Sequence, residues 1–247
     1  MSDNALYTDL SGYYDLMCAD INYPAQSHSA HRFHQLFGNQ GKRHLDLACG
    51  TGPHIEYLQQ EGYLCSGLDI NLPMLSLAKL RCPNSEFSLG NMCDFSVDDP
   101  FDLITCFLYS IHYSGDTAQL QSCLNSVHQA LNTGGVFCFN SVDKDHIDNQ
   151  LAAKHSVKQG QDLFSFGSSW HYSGEGDKQT LKLSIEKTHN NVTERWVDEH
   201  NMVATSFVTL QGLLAPLFDV HLFEHEHDKI QPWGGQTGNA IFVCVKK

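Results

Sequence analysis

Hydrophobic and polar positions along this chain follow two different periods, and the change between them divides it. In the first half, short apolar runs suited to strands buried on both faces alternate with segments of helical spacing. A helix is expected over about 28 to 38 (HSAHRFHQLF), then a strand from Arg43 to Ala48. The next helix runs from Pro53 to about Gln60. Proline suits a first helical position because it lacks the N–H that would be unsatisfied there, and Gly62 suits the stop. A second strand covers Tyr63 to Leu68 and ends at Asp69. Asn71 is a candidate cap for a helix that carries Met74, Leu75 and Ala78 and stops before Pro83. Glu86–Leu89 and Phe101–Phe107 read as the third and fourth strands. Leu120, Leu124, Val127 and Leu131 share one face of a helix from Thr117 to Leu131. Asn132-Thr133-Gly134-Gly135 reads as a turn, and Val136–Phe139 as the fifth strand.

Repeated β–α–β units of this length predict an α/β fold: a Rossmann-like, seven-stranded, mostly parallel sheet with helices on both faces. From about Asp143 the pattern becomes that of an antiparallel meander, with strands over Phe164–Tyr172, Thr180–His189 and Arg195–Ala204. A helix over Thr209–Leu217 and strands Asp219–Phe223 and Asn239–Val245 then complete the sheet. The expected organisation is a helical lid over 1–42, a Rossmann-like core over 43–142, an antiparallel β insertion over 143–208 and the closing elements over 209–247.

Composition narrows the function. A chain of 247 residues suits one domain with an insertion. Its 15 Lys and Arg against 28 Asp and Glu give a net charge of −13. Nucleic acids and membrane surfaces are both anionic, so neither is an expected partner. No apolar run approaches the ~18–20 residues that span a bilayer. The first residues, MSDNALYTDL, lack the basic and apolar regions of a secretory signal, so a cytoplasmic protein is expected, as a monomer or homodimer. Nine cysteines, an odd number with no Cys-x-x-Cys pair, suit reduced core thiols rather than a disulfide framework.

Candidate chemistry collects where the first strands end. In an open parallel sheet a ligand binds beyond the carboxyl ends of the strands. The first turn is Asp46-Leu47-Ala48-Cys49-Gly50-Thr51-Gly52, and Gly50 and Gly52 let backbone approach a ligand closely. A dinucleotide site needs a third glycine so that the helix N-terminus can meet a pyrophosphate; Ile55 stands there instead. Asp69, at the end of the second strand, can accept hydrogen bonds from both hydroxyls of a ribose. After the third strand, Asn91 can read an adenine edge, with Met92 as an apolar wall. A ribose and an adenine without a pyrophosphate are the expected ligand features.

LDLACGTG, Asp69, GNMCDF and FLYSIHY together resemble the successive motifs of class I S-adenosylmethionine-dependent methyltransferases, over roughly residues 43–142. The resemblance implies S-adenosyl-L-methionine as cofactor, S-adenosyl-L-homocysteine as product, no metal and a small-molecule acceptor. It implies that Asp46 and Gly50 frame the methionine end, Asp69 binds the ribose, Asn91 and Met92 meet adenine, and Phe107 closes the site. Tyr14, Ala48, Thr51, Gly52, Ile70 and Met74 complete the implied cofactor contacts. The chain is also similar to small-molecule N-methyltransferases that make dimethylamino sugars, through Tyr13-Tyr14-Asp15-Leu16, the stretch around His112 and the meander.

Two catalytic residues are expected on this reading. His112, just after the fourth strand, would orient or deprotonate the acceptor, since its ordinary pKa of about 6.5 suits base work. Tyr14 would cover the cofactor. Trp170, His171, Trp196 and the loop Gln231-Pro232-Trp233-Gly234-Gly235 are expected to wall the acceptor pocket. The alternatives are a non-catalytic S-adenosylmethionine-binding protein with a regulatory or assembly role, and an NAD-dependent oxidoreductase, which Ile55 disfavours. His221, His225 and His227 share one strand face, but the outer two lie about 20 Å apart at ~3.3 Å per residue, too far for one zinc ion.

Overall fold

The computed structural model describes residues 5–8 and 10–247. Short 3-10 turns at Ala5–Tyr7 and Ser11–Tyr13 lead into α1 (Tyr14–Met17) and α2 (Tyr23–Phe37). There follow β1 (Arg43–Leu47), α3 (Pro53–Gln60), β2 (Leu64–Asp69), α4 (Leu72–Arg81), β3 (Glu86–Leu89) and β4 (Phe101–Cys106). A 3-10 turn at Ser110–Ser114 precedes α5 (Thr117–Ala130) and β5 (Leu131–Val142). Four long strands come next: β6 (Ala153–Gln159), β7 (Asp162–Tyr172), β8 (Lys178–His189) and β9 (Val192–Val203). The chain closes with α6 (Phe207–Leu214), β10 (Phe218–Glu224) and β11 (Asn239–Lys246).

The main sheet has the order β10-β11-β5-β4-β1-β2-β3, and only β11 runs against its neighbours. Every residue of β4 is buried, as a central strand covered on both faces requires. Alternate residues face opposite layers. Ile104, Phe137, Phe139 and Phe242 pack under α5 and α6, while Leu103, Val136, Cys138 and Ile241 pack under α2 and α3. Chain direction across the sheet reverses between β1 and β4, which opens a crevice at their carboxyl ends.

Local chemistry accounts for most of the ends. Asn22 caps α2 by accepting from Ala25 N–H (3.1 Å), Asp116 caps α5 through Gln119 N–H (2.8 Å) and Ser206 caps α6 through Thr209 N–H (3.2 Å). Asn71 does not cap α4; its amide donates back to Asp69 Oδ1 (3.3 Å). Residues 132–135 belong to β5, as an irregularity in its pairing with β4, and Gly134 takes a left-handed φ of 72° there. The meander has a fourth strand, β6, whose polar run AKHSVKQ carries no apolar alternation. It is held by pairing with β7. This second sheet packs one face on the N-terminal segment, where Leu6, Tyr13, Phe164, Phe166, Leu183 and Ile185 form a separate core. No helix of the described residues is long and apolar enough to cross a membrane.

Burial pushes His44 and His54 down to about 3, and His112 and His227 to about 4, from an ordinary 6.5. All four are neutral in the fold, and each contributes stability that is present above pH 6.5 and lost as the pH falls toward 4. Burial raises Asp46 to about 7, which favours its protonated form and opposes the trend. The lowered histidines, which also include His31, His34, His128 and His225, outnumber the raised carboxylates Asp46 and Asp69, and that decides the sign. Thermal unfolding followed from pH 7 down to pH 4.5 is expected to show a falling midpoint; a midpoint that holds level to pH 5 would contradict the assignment.

Candidate active site

The turn between β1 and α3 is shaped by three consecutive left-handed positions at alternate residues: Ala48 (φ 52°), Gly50 (φ 55°) and Gly52 (φ 80°). It is tied to the end of β2 by a carboxylate. Asp69 Oδ2 accepts from Gly50 N–H (2.8 Å), and Oδ1 accepts from Asn71 N–H (2.8 Å) and from the Asn71 amide. Burial raises the pKa of Asp69, and those donors oppose the rise. A carboxylate offers about four acceptor positions, so capacity remains on Oδ2 for a hydroxyl.

A cavity of about 220 Å³ opens at this turn. Ala48, Gly50, Asp69 and Ile70 line it from β1 and β2, and Met74 from α4. Asn91 and Met92 close its far side, and Tyr14 and Tyr7 cover it from the N-terminal segment. Asn91 Oδ1 accepts from Cys93 N–H (2.9 Å), which fixes the side chain in a tight turn. A second cavity, also about 220 Å³, lies beside the first and shares Tyr7, Tyr14 and Leu108 with it. Its walls are Met17, Tyr109, His155, Phe166, Trp170 and Leu181, together with other residues of the second sheet. Leu108 and Tyr109 stand at the junction in consecutive left-handed conformations (φ 54° and 60°), sparsely populated by non-glycine residues. Asn140 Oδ1 holds them by accepting from Tyr109 N–H (3.1 Å).

Asp46 and Phe107 do not reach the large cavity. They line a pocket of about 20 Å³ that adjoins it through Tyr14, Ala48, Leu108 and Ser110. Thr105 donates its hydroxyl to Asp46 Oδ1 (2.6 Å) and lies 2.8 Å from His44 Nε2. Asp46 Oδ2 is buried with no hydrogen-bond partner. His54 Nδ1 is 3.9 Å away, too long for a hydrogen bond. Burial favours the protonated form of Asp46, and a cation in the small pocket would draw it back to the carboxylate.

Three further expected site residues line neither cavity nor the small pocket. Thr51 turns away, donating to Asp15 Oδ1 (2.7 Å) and accepting from Arg81 (2.7 Å), so it ties the N-terminal segment to α4. Gly52 faces Ala78, whose Cβ would lie 3.3 Å from a side chain placed there; its role is close helix packing. His112 is fully buried. Its Nε2 accepts from Val142 N–H (3.2 Å), so Nδ1 carries the proton and donates to Val203 O (2.9 Å). With both nitrogens committed to backbone and its pKa pushed down to about 4, His112 joins β5 to β9 rather than meeting an acceptor.

Among the residues expected to wall the acceptor pocket, only Trp170 does so. His171 points to the outer face of the second sheet and is exposed, as strand alternation dictates. Trp196 packs on Tyr13 (6.1 Å) in the core beneath the sheet, and Trp233 packs edge-on against Phe207 (5.2 Å), away from both cavities. Sequence reasoning passed over Tyr7, Leu108, Tyr109 and Tyr113. The stretch FLYSIHY contains three of them, but no periodicity reveals that its backbone reverses through two left-handed residues.

The chain resembles known proteins in sequence and in fold. Residues 45–135 match a family model described as a methyltransferase domain. A dTDP-3-amino-3,4,6-trideoxy-alpha-D-glucopyranose N,N-dimethyltransferase of Streptomyces venezuelae is 34% identical over 131 residues, 47% of this chain and 55% of that protein. Across this relative, a second amino-sugar N,N-dimethyltransferase from Saccharopolyspora spinosa and a putative methyltransferase from a Geobacillus strain, the matched stretch spans 37% to 60% of their own length. The crystal structure of Streptomyces venezuelae DesVI superposes with a TM-score of 0.81 over 100% of both chains at 21% identity. The S-adenosylmethionine-bound structure of CalS10, an amino pentose methyltransferase from Micromonospora echinaspora, gives 0.81 over 100% of both chains at 18% identity. The fold is therefore that of the S-adenosylmethionine-dependent methyltransferases, as the motifs of the first half implied.

Proposed function

We propose that this chain, with a methyltransferase domain at residues 45–135, transfers a methyl group from S-adenosylmethionine to a small-molecule amine. The observation that carries the reading is the pair of adjoining cavities, one walled by the β1 turn and Asp69, the other by the aromatic face of the second sheet. The first fits the cofactor. Asp69 would take the ribose hydroxyls, Asn91, Met92 and Ile70 the adenine, and Gly50 with the unpartnered oxygen of Asp46 the amino-acid end, whose ammonium is the cation that oxygen lacks.

When bound, S-adenosylmethionine supplies a methyl group already activated by a sulfonium, for in-line displacement by a nucleophile. The remaining work falls to the protein: hold the acceptor in line, keep water out and leave its nitrogen unprotonated. Tyr14 and Leu108 stand at the junction, where the two molecules would meet. The aromatic walls Tyr109, Phe166 and Trp170 suit the apolar face of a small ring. The amino-sugar substrates in the relatives' names support an amine over a hydroxyl acceptor. All nine cysteines are unbridged and buried, which suits a reducing compartment such as the cytoplasm.

Calorimetric titration with S-adenosylhomocysteine, with NADH as the control, tests the cofactor assignment. One-site binding of the nucleoside and none of NADH is expected. A folded protein that binds neither, or only NADH, would end this reading.

A further inference from the structure

Four side chains from three separate segments form a connected cluster, one end of which reaches the junction of the cavities. Tyr7 lines both. Its Oη lies 2.7 Å from Tyr113 Oη, which is hydrogen-bonded to His200 Nδ1. His200 Nε2 lies 3.0 Å from Asp198 Oδ2, with both residues on the inner face of β9. His200 is fully buried, and its ring is 5.2 Å from that of Tyr7 and 5.6 Å from that of Tyr113.

The direction of the hydrogen bonds follows from the ends. His200 Nε2 makes no hydrogen bond, and Asp198 Oδ2 accepts from Leu6 N–H (3.2 Å). The charge of a carboxylate 3.0 Å away nevertheless favours the tautomer protonated at Nε2, which leaves Nδ1 as the acceptor. Tyr113 must then donate to Nδ1, and Tyr7, in turn, to Tyr113. This leaves the lone pairs of Tyr7 Oη as the open end of the chain. The other titratable groups facing it are Tyr14, whose ring is 5.7 Å away, and Cys18 and Asp69, which both disfavour a tyrosinate at position 7. Burial raises the pKa of Tyr7 and Tyr113, so neither holds a negative charge; each can only pass a proton on.

We propose that Tyr7, Tyr113, His200 and Asp198 form a relay that removes the proton from the acceptor amine. The proposal rests on the methyl-transfer reading above. In the step, the N–H bond of the ammonium breaks and Tyr7 Oη takes the proton. Tyr7 gives its own proton to Tyr113, and Tyr113 gives its own to His200 Nδ1. The charge ends as an imidazolium facing the Asp198 carboxylate, and the nitrogen keeps the electron pair it needs for attack. Tyr7 is the catalytic residue; Tyr113, His200 and Asp198 act through it. An imidazole beside a carboxylate gives the proton a resting place, which neither tyrosine provides alone.

The test is single-turnover methyl transfer, from pH 6 to pH 10, to dTDP-3-amino-3,6-dideoxy-α-D-glucopyranose and dTDP-4-amino-2,3,4,6-tetradeoxy-D-glucose. Tyr7→Phe is expected to lower kcat at pH 7 by about 100-fold and His200→Gln by about tenfold, with KM little changed. Both are expected to recover toward pH 10, where the free amine has already lost its proton in water. Recovery at high pH is what a purely structural role would not produce, and an equal loss at every pH would overturn the relay. Unchanged rates in Tyr7→Phe would overturn it too. A second measurement needs no acceptor. Sinefungin carries an amine where the cofactor carries its methyl, and Tyr7→Phe should weaken sinefungin about tenfold while leaving S-adenosylhomocysteine unchanged. Equal losses for the two would count against an amine at Tyr7. Binding of S-adenosylhomocysteine without methyl transfer to either sugar by the unaltered chain would remove the amine reading and the relay with it.

Discussion

Replacing Asp69 with alanine is expected to weaken S-adenosylhomocysteine binding by at least about 100-fold. The carboxylate has two tasks. It is the acceptor at the place where a ribose would sit, and a hydrogen bond to a charged group contributes about 1.5–3 kcal/mol. It also accepts from Gly50 N–H and Asn71 N–H, which shape the turn. Leaving those donors without a partner costs about 1–3 kcal/mol each, and that penalty falls on the conformation that binds. Since each 1.4 kcal/mol is tenfold, the first task alone accounts for roughly 10- to 100-fold and the loosened turn adds to it. Asp69→Asn keeps one acceptor oxygen but sets an amide hydrogen against a backbone N–H, so an intermediate loss is expected. Titration calorimetry on protein shown to be folded by circular dichroism reads the effect. A dissociation constant within threefold of the unaltered protein would mean that neither task matters for binding.

The largest expected loss of stability comes from Phe242→Ala. Phe242 lies on β11, the one strand running against the rest, and pairs with Phe139 of β5 on one side and Leu222 of β10 on the other. Its ring stacks on Phe139 at 5.0 Å, Phe139 stacks on Phe137 at 4.6 Å, and Phe207 of α6 meets Phe242 edge-on at 5.3 Å. All four rings are buried. Removing this ring leaves a cavity that the stack cannot close, because its neighbours are fixed by the strand ladder. Truncation of a buried phenylalanine costs about 3–5 kcal/mol. For a protein of this size that lowers the melting temperature by roughly 6–20 °C. Val208→Ala, an exposed substitution on the same helix as Phe207, serves as the control and should stay within about 0.5 kcal/mol. A fall of less than 2 °C for Phe242→Ala would mean that the stack is dispensable.

The two halves of the chain differed in how far they could be read. The β–α–β half was legible because each element carries its own signal. LDLACGTG combines an apolar strand with the glycines of a tight turn, Pro53 opens a helix, and FDLITC is mostly apolar, as a strand covered on both faces is. β6 was not legible because AKHSVKQ gains its strand character from pairing with β7, a partner that local pattern does not name. Asn71 misled for a related reason: a capping residue beside a buried carboxylate donates to the carboxylate instead.

The same division runs through the site. Asp69, Gly50, Asn91 and Met92 line the first cavity because the ends of consecutive strands converge by the geometry of any parallel sheet. His112 looked like a base on its position after β4. Whether a histidine is a base or a strut depends on what faces its two nitrogens, and those partners, Val142 and Val203, lie on other strands. Tyr7, Tyr113, His200 and Asp198 carry no shared motif at all, being spread over more than three quarters of the chain. Sequence by itself determined the parallel sheet, the cofactor turn and the acidic residue opposite it, since those follow from local periodicity and backbone freedom. Only the tertiary structure decided which polar side chains face the junction, because packing of the second sheet onto the N-terminal segment sets those neighbours.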